Sequence, residues 1–175
     1  SWPRTLSTST VASAGRHTIT LTGDSAATDV ILLNWNGDNK ADLLIDTPEH
    51  AYILSGAPLS PGTTTSFSYA TFSGLNRIGK DPMGNPLNAR ATVVGDVNGD
   101  GLDDVMFLDT SSTADAYLLL GRTATGDLTL TGSANVAFDI SLDTPEVFAL
   151  GDLNRDGYDD VAFGGKVETE TTGGL

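Results

Sequence analysis

Apolar residues in this chain come in short runs set off by Gly, Pro, Asp and Thr, and the runs recur in one order. A Thr-rich alternating segment ends in glycine three times, as Thr18-Ile19-Thr20-Leu21-Thr22-Gly23, Thr71-Phe72-Ser73-Gly74 and Leu128-Thr129-Leu130-Thr131-Gly132. A second run reads Val30-Ile31-Leu32-Leu33, Thr92-Val93-Val94 and Val147-Phe148-Ala149-Leu150. After a polar loop comes a third, Leu43-Leu44-Ile45, Val105-Met106-Phe107-Leu108 and Val161-Ala162-Phe163. The fourth appears twice, as Ala51-Tyr52-Ile53-Leu54-Ser55-Gly56 and Ala116-Tyr117-Leu118-Leu119-Leu120-Gly121. Runs this short, β-branched or alternating and flanked by turn residues, predict strands and not helices.

Four such runs make an antiparallel meander of about 60 residues, which cannot bury both faces alone and must stack on its neighbours. Stacked four-stranded sheets are the blades of a β-propeller. The expected fold is therefore all-β, with about three four-stranded antiparallel blades forming a sector of a larger propeller. One domain spans 1–165, with repeats near 16–56, 57–121 and 122–165, and 166–175 reads as a frayed tail or linker. Closed propellers typically have about four to eight blades, so either a longer chain or a set of identical subunits is expected to complete the ring. Both open ends of a sector expose apolar blade faces.

The polar loops between the second and third runs share one spacing. They read Asn34-Trp35-Asn36-Gly37-Asp38-Asn39-Lys40-Ala41-Asp42, Asp96-Val97-Asn98-Gly99-Asp100-Gly101-Leu102-Asp103-Asp104 and Asp152-Leu153-Asn154-Arg155-Asp156-Gly157-Tyr158-Asp159-Asp160. Side-chain oxygens stand at positions 1, 3, 5 and 9, a spacing that curls a short segment around a hard cation, with the position 7 carbonyl filling a gap. The expected Ca²⁺ ligands are Asn34, Asn36, Asp38, Lys40 and Asp42; Asp96, Asn98, Asp100, Leu102 and Asp104; and Asp152, Asn154, Asp156, Tyr158 and Asp160. Lys40, Leu102 and Tyr158 enter through their carbonyls. Position 6 needs a positive φ, which glycine gives and asparagine tolerates. Affinity follows ligand charge, so the first loop, with two carboxylates against three, is expected to empty first. Trp35 aligns with Val97 and Leu153 and is expected to point inward, with Tyr52 and Tyr117 as packing residues. Asp103 and Asp159, at position 8, are expected to point outward as solvated charges or to stand behind the ligands.

An EF-hand needs a glutamate at position 12 followed by a helix; here Ile45, Phe107 and Phe163 stand there, inside strand patterns. Dockerin modules have similar loops, but these run into leucine-rich helices at a much shorter interval. The segments Gly95-Asp96 to Asp104-Val105, Gly151-Asp152 to Asp160-Val161-Ala162-Phe163-Gly164-Gly165, and Ser55-Gly56-Ala57-Pro58 resemble the FG-GAP repeat of integrin α subunits and many bacterial secreted proteins. The resemblance covers 18–165 and implies a calcium-braced propeller concerned with binding.

Composition narrows the function. The net charge of −14 disfavours nucleic acid and anionic membrane surfaces as partners, and three Ca²⁺ ions would bring it to −8. No stretch approaches the roughly 18 apolar residues of a membrane helix. Abundant Thr, Ser, Gly and Asp, with little Lys and no Cys, fit a secreted or cell-surface protein. His17 and His50 stand far from any repeated acid or nucleophile, and no hydrolase or metalloprotease motif occurs, so no enzyme is expected. The segment Gly74 to Lys80-Asp81 mimics a P-loop, but position 81 is Asp and Pro82 follows. A protein or glycan partner is expected on the face opposite the calcium loops, formed by linkers 24–29, 75–91 and 133–146 and turns 46–50 and 109–115. Within it, 75–91 carries Arg77, Lys80, Asp81 and Arg90. The alternative is a non-catalytic accessory segment of a larger secreted enzyme or toxin.

Overall fold

In a computed structural model of the chain, the described residues are 18–21, 27–48, 50–56, 64–67, 75–79, 89–109, 115–140 and 142–166. Those up to Gly79 form β1 (Thr18–Leu21), β2 (Asp29–Leu33), β3 (Asp42–Asp46), β4 (His50–Leu54), β5 (Thr64–Phe67) and β6 (Leu75–Gly79). Then come β7 (Ala89–Gly95), β8 (Asp104–Asp109), β9 (Asp115–Leu119), β10 (Gly126–Thr129), a single helical turn α1 (Leu130–Ser133), β11 (Val136–Asp139), β12 (Asp143–Gly151) and β13 (Asp160–Lys166). The fold is all-β.

Two meanders follow the expected order. Strands β2, β3, β4 and β6 pair antiparallel in sequence, and so do β7, β8, β9 and β11. Cross-strand pairs of aliphatic residues, such as Val30 with Ile45 and Ile31 with Leu44, give these ribbons their stability. Strands β12 and β13 form an antiparallel pair, the first half of the same pattern.

The sheets stack. Leu33, Trp35, Leu44, Ala51, Ile53 and Ile78 of the first sheet and its loop pack with Ala89, Ala91, Val105, Phe107 and Leu119 of the second. On the other face of the second sheet, Val94, Met106, Leu108, Ala116 and Leu118 pack with Val147, Val161 and Phe163 of the β12–β13 pair. All six residues of β8 are buried, because this strand has a sheet on each side. Fully burying side chains such as Phe107 and Met106 is worth about 1.5–3 kcal/mol each. At the two ends the apolar residues are exposed: Val30 (56%) and Leu32 (67%) on β2, Phe148 (45%) and Leu150 (46%) on β12.

The meanders do not take their outer, fourth strands from the Thr-rich segments, although the repeat order leads one to expect it. Those strands are β6 and β11, inside the supposed linkers 75–91 and 133–146. Segment 128–132 instead ends β10 and begins α1. Hydroxyl groups cause this break: Thr129 Oγ1 accepts the Gly132 amide at 3.2 Å, and Ser133 Oγ accepts the Thr129 amide at 3.1 Å. Leu130 on the turn is fully buried in the first interface. Segment 71–74 lies outside the described residues, as does the tail beyond 166.

Strands β5 and β10 belong to neither meander. Each lies between the third and fourth strands of its own unit and pairs, in parallel, with an earlier strand. Thr64–Phe67 runs along Thr18–Leu21, and Gly126–Thr129 along Asn76 to Gly79 of β6. The second unit thus sends β10 back to close the outer edge of the first, at β6.

Candidate metal loops

The three Asn/Asp-rich loops join β2 to β3, β7 to β8 and β12 to β13. Their side chains curl the backbone by accepting its own amides. At position 3, Asn36, Asn98 and Asn154 Oδ1 accept the position 5 amide at 3.0, 2.9 and 2.8 Å. At position 5, Asp38, Asp100 and Asp156 Oδ1 accept the position 7 amide at 3.0, 2.9 and 3.0 Å. The position 1 carboxylates reach furthest. Asp96 accepts Gly99, Asp100 and Gly101, and Asp152 accepts Asp156 and Gly157. In the first loop Asn34 takes a different role. Its Nδ2 donates to the Gly101 carbonyl at 3.0 Å, and its Oδ1 is buried without a hydrogen-bond partner.

Position 6 has the expected positive φ, 62° at Asn39, 85° at Gly101 and 92° at Gly157. Position 4 has it too, at Gly37 (73°), Gly99 (76°) and Arg155 (64°), which the ligand spacing alone did not reveal.

Position 9 closes each loop. Asp42 Oδ2 accepts the amides of Trp35 and Asn36, while Oδ1 accepts Gly56 at 2.9 Å. Asp104 accepts Val97 at 3.0 Å and Gly121 at 2.8 Å. Both aspartates are fully buried and tie the loop to the end of the third strand. A Cβ at Gly121 would lie 2.9 Å from the Asp103 carbonyl, so glycine there admits the bond. Asp160 accepts Leu153 in the same way. Burial pushes the Asp104 carboxyl up to about 6; the Asp100 and Asp96 charges add to this, and the Gly121 and Val97 amides oppose it.

Position 8 does not point into solvent. Asp103 Oδ2 accepts the Asn34 amide at 2.6 Å, and its own amide donates to the Asn34 carbonyl at 2.8 Å. One unit later the pattern repeats: Asp159 Oδ2 accepts the Asp96 amide at 2.9 Å, and the Asp159 amide donates to the Asp96 carbonyl at 2.9 Å. Position 7 adds a third contact. The Leu102 side chain lies over Gly37, and the Tyr158 ring over Gly99, each within 3 Å of where a Cβ would stand. Successive loops are therefore clasped through position 8 on position 1 and position 7 on position 4. Trp35 is buried at this junction, as its alignment predicted. Its carbonyl accepts the Arg122 amide at 2.9 Å, and the guanidinium lies 6.0 Å from the ring centroid. Tyr52 is buried and Tyr117 packs against the first interface.

The donor set is all oxygen, two or three carboxylates per loop with Asn and a backbone carbonyl, which is the chemistry of a hard cation. Among the described residues no three His, Cys, Asp or Glu side chains converge closely enough to hold a metal ion. The carboxylates hold loop amides instead: Asp42 Oδ2 and Asp96 Oδ1 each accept two, while oxygens that accept one, such as Asp38 Oδ1 and Asp156 Oδ1, keep a further lone pair.

Residues 96–163 match the family model of the FG-GAP-like repeat. The chain carries an FG-GAP-like repeat. The matched FG-GAP span starts at position 1 of the second loop and ends in β13, so it holds the second and third loops with the clasp between them. No solved structure matches the chain. Outside the loops, Arg90 is exposed on β7, and residues 75–79 of the P-loop-like stretch form strand β6. The His50 ring lies 5.9 Å from that of Tyr52. His17, Lys80 and Asp81 lie outside the described residues.

Proposed function

We propose that this chain is a calcium-stabilised sector of a β-propeller, a non-enzymatic binding or adhesion module of a secreted or cell-surface protein that contacts a protein or glycan. One observation carries the reading: three loops with the same oxygen spacing, curled alike by their position 3 and 5 side chains and joined in a repeating clasp, two of them within an FG-GAP-like repeat. Asp96, Asn98, Asp100, the Leu102 carbonyl and Asp104 would hold one ion. Asp152, Asn154, Asp156, the Tyr158 carbonyl and Asp160 would hold the second. Asn34, Asn36, Asp38, the Lys40 carbonyl and Asp42 would hold the third and weakest. A bound ion supplies positive charge that offsets the repulsion among the loop carboxylates. The chain's own residues fix the loop backbone, and the sheets hold the loops in line.

Isothermal calorimetry should find about three Ca²⁺ sites, one weaker than the others. Excess chelator should lower the melting temperature, because a ligand that binds only the folded state stabilises it. An unchanged melting temperature would remove calcium from the reading, and three equal sites would contradict the ranking. A glycan array on the isolated chain tests the recognition role. The second reading, an accessory segment of a larger secreted enzyme or toxin, needs a catalytic domain elsewhere in the polypeptide. Among the described residues no helix is long and apolar enough to cross a membrane.

A further inference from the structure

We propose that the first-loop end of the stack docks the corner loop of a non-identical repeat unit and rejects a second copy of this chain, with Lys40 making the distinction. The proposal goes beyond calcium and stands on the clasp. At both internal junctions a loop offers its successor the same surface: the position 1 amide and carbonyl, and a glycine at position 4. The successor answers with an apolar or aromatic side chain at position 7 and an aspartate at position 8. The two end loops break this code. Facing backward, the first loop has Lys40 at position 7 and Ala41 at position 8, beside an open cleft of about 370 Å³ lined by Leu32, Leu33, Asn34 and Asn39. Facing forward, the third loop has Arg155 at position 4, in the left-handed region at φ 64°.

A second copy joined head to tail would set Lys40 on Arg155, two exposed cations where the internal junctions set Leu102 on Gly37 and Tyr158 on Gly99. Ala41 would offer no carboxylate to the Asp152 amide. Val30 and Leu32 at one end and Phe148 and Leu150 at the other give such a junction apolar surface to bury, so like charge is what opposes it. The occupant that suits the cleft is a corner loop with a carboxylate at its fourth position, placed against the Lys40 ammonium, and a free backbone carbonyl for the Ala41 amide.

A charge-reversal cycle on the whole chain tests this, with the chain itself as probe and calcium held constant. Sedimentation equilibrium at low ionic strength would compare the wild type with Arg155→Asp, Lys40→Glu and the double variant. Each single reversal makes the end-to-end pair complementary and should tighten self-association about tenfold, a difference of about 1.4 kcal/mol. The double variant restores like charge and should return to wild-type behaviour. Each reversal makes a chain of charge −14 more acidic, so non-specific repulsion predicts the opposite sign. Asp tolerates the left-handed backbone at 155, and Lys40 is exposed, so circular dichroism should report folded variants. Wild-type association as tight as that of the single variants would overturn the proposal. So would two single variants that both match the wild type.

Discussion

Aspartates at neighbouring loop positions have different physical roles. Asp104 is buried and ties its loop to Gly121, whereas Asp103 reaches into the preceding unit and holds the Asn34 amide. Residue type and spacing made positions 3, 5 and 9 legible as oxygens turned in on their own loop, where they accept its amides. Position 8 was not legible, because its partner lies 69 residues away and only stacking brings the two together. Asp103→Ala should cost about 1–3 kcal/mol in denaturant unfolding, since it leaves the Asn34 amide without its acceptor; a cost within error of zero would return Asp103 to the solvated charges. The Asp104 carboxyl titrates near 6 in the folded chain, above its ordinary 3.8. A raised folded pKa gives stability that is fully present below the unfolded value and lost as pH rises through the folded one. In chelator, this group should therefore make the chain more stable as pH falls from about 6 to about 4, and Asp104→Asn should flatten that slope in melts across the range.

Strands were legible wherever an apolar run had a buried face on both sides. The runs around β3, β4, β8 and β9 stand where their patterns placed them. The outer strands were not, because β6 and β11 carry polar residues (Asn76-Arg77, Asp139) that blur the period and β11 is largely exposed. The Thr-rich segment 128–132 alternates like a strand, yet the Thr129 and Ser133 hydroxyls turn it into α1. The strand return of β10 onto β6 has no signature in one unit, since it depends on the neighbour's edge. Leu128→Pro removes a backbone donor from β10 and should leave the β6 edge open. Light scattering on warming should then rise earlier than for the wild type. Equal scattering onset would show that β10 does not protect that edge.

The described residues form a short stack of sheets, and ten of the chain's 23 acids lie in the three loops, at a net charge of −14. Self-repulsion on that scale weakens the compact state, and salt screens it over about 8–10 Å. In chelator the melting temperature should climb between low and physiological salt, and with calcium present the climb should shrink. Equal salt dependence in both would separate the ions from the carboxylates. Edge closure by the following unit has a further consequence for synthesis. The ribosome releases β6 at Gly79, but its parallel cover begins only at Gly126. At roughly 5–20 residues per second, that border of the nascent sheet stays bare for several seconds. The window is one in which a chaperone, or a neighbouring polysome's product, can reach the uncovered amides before the chain itself does.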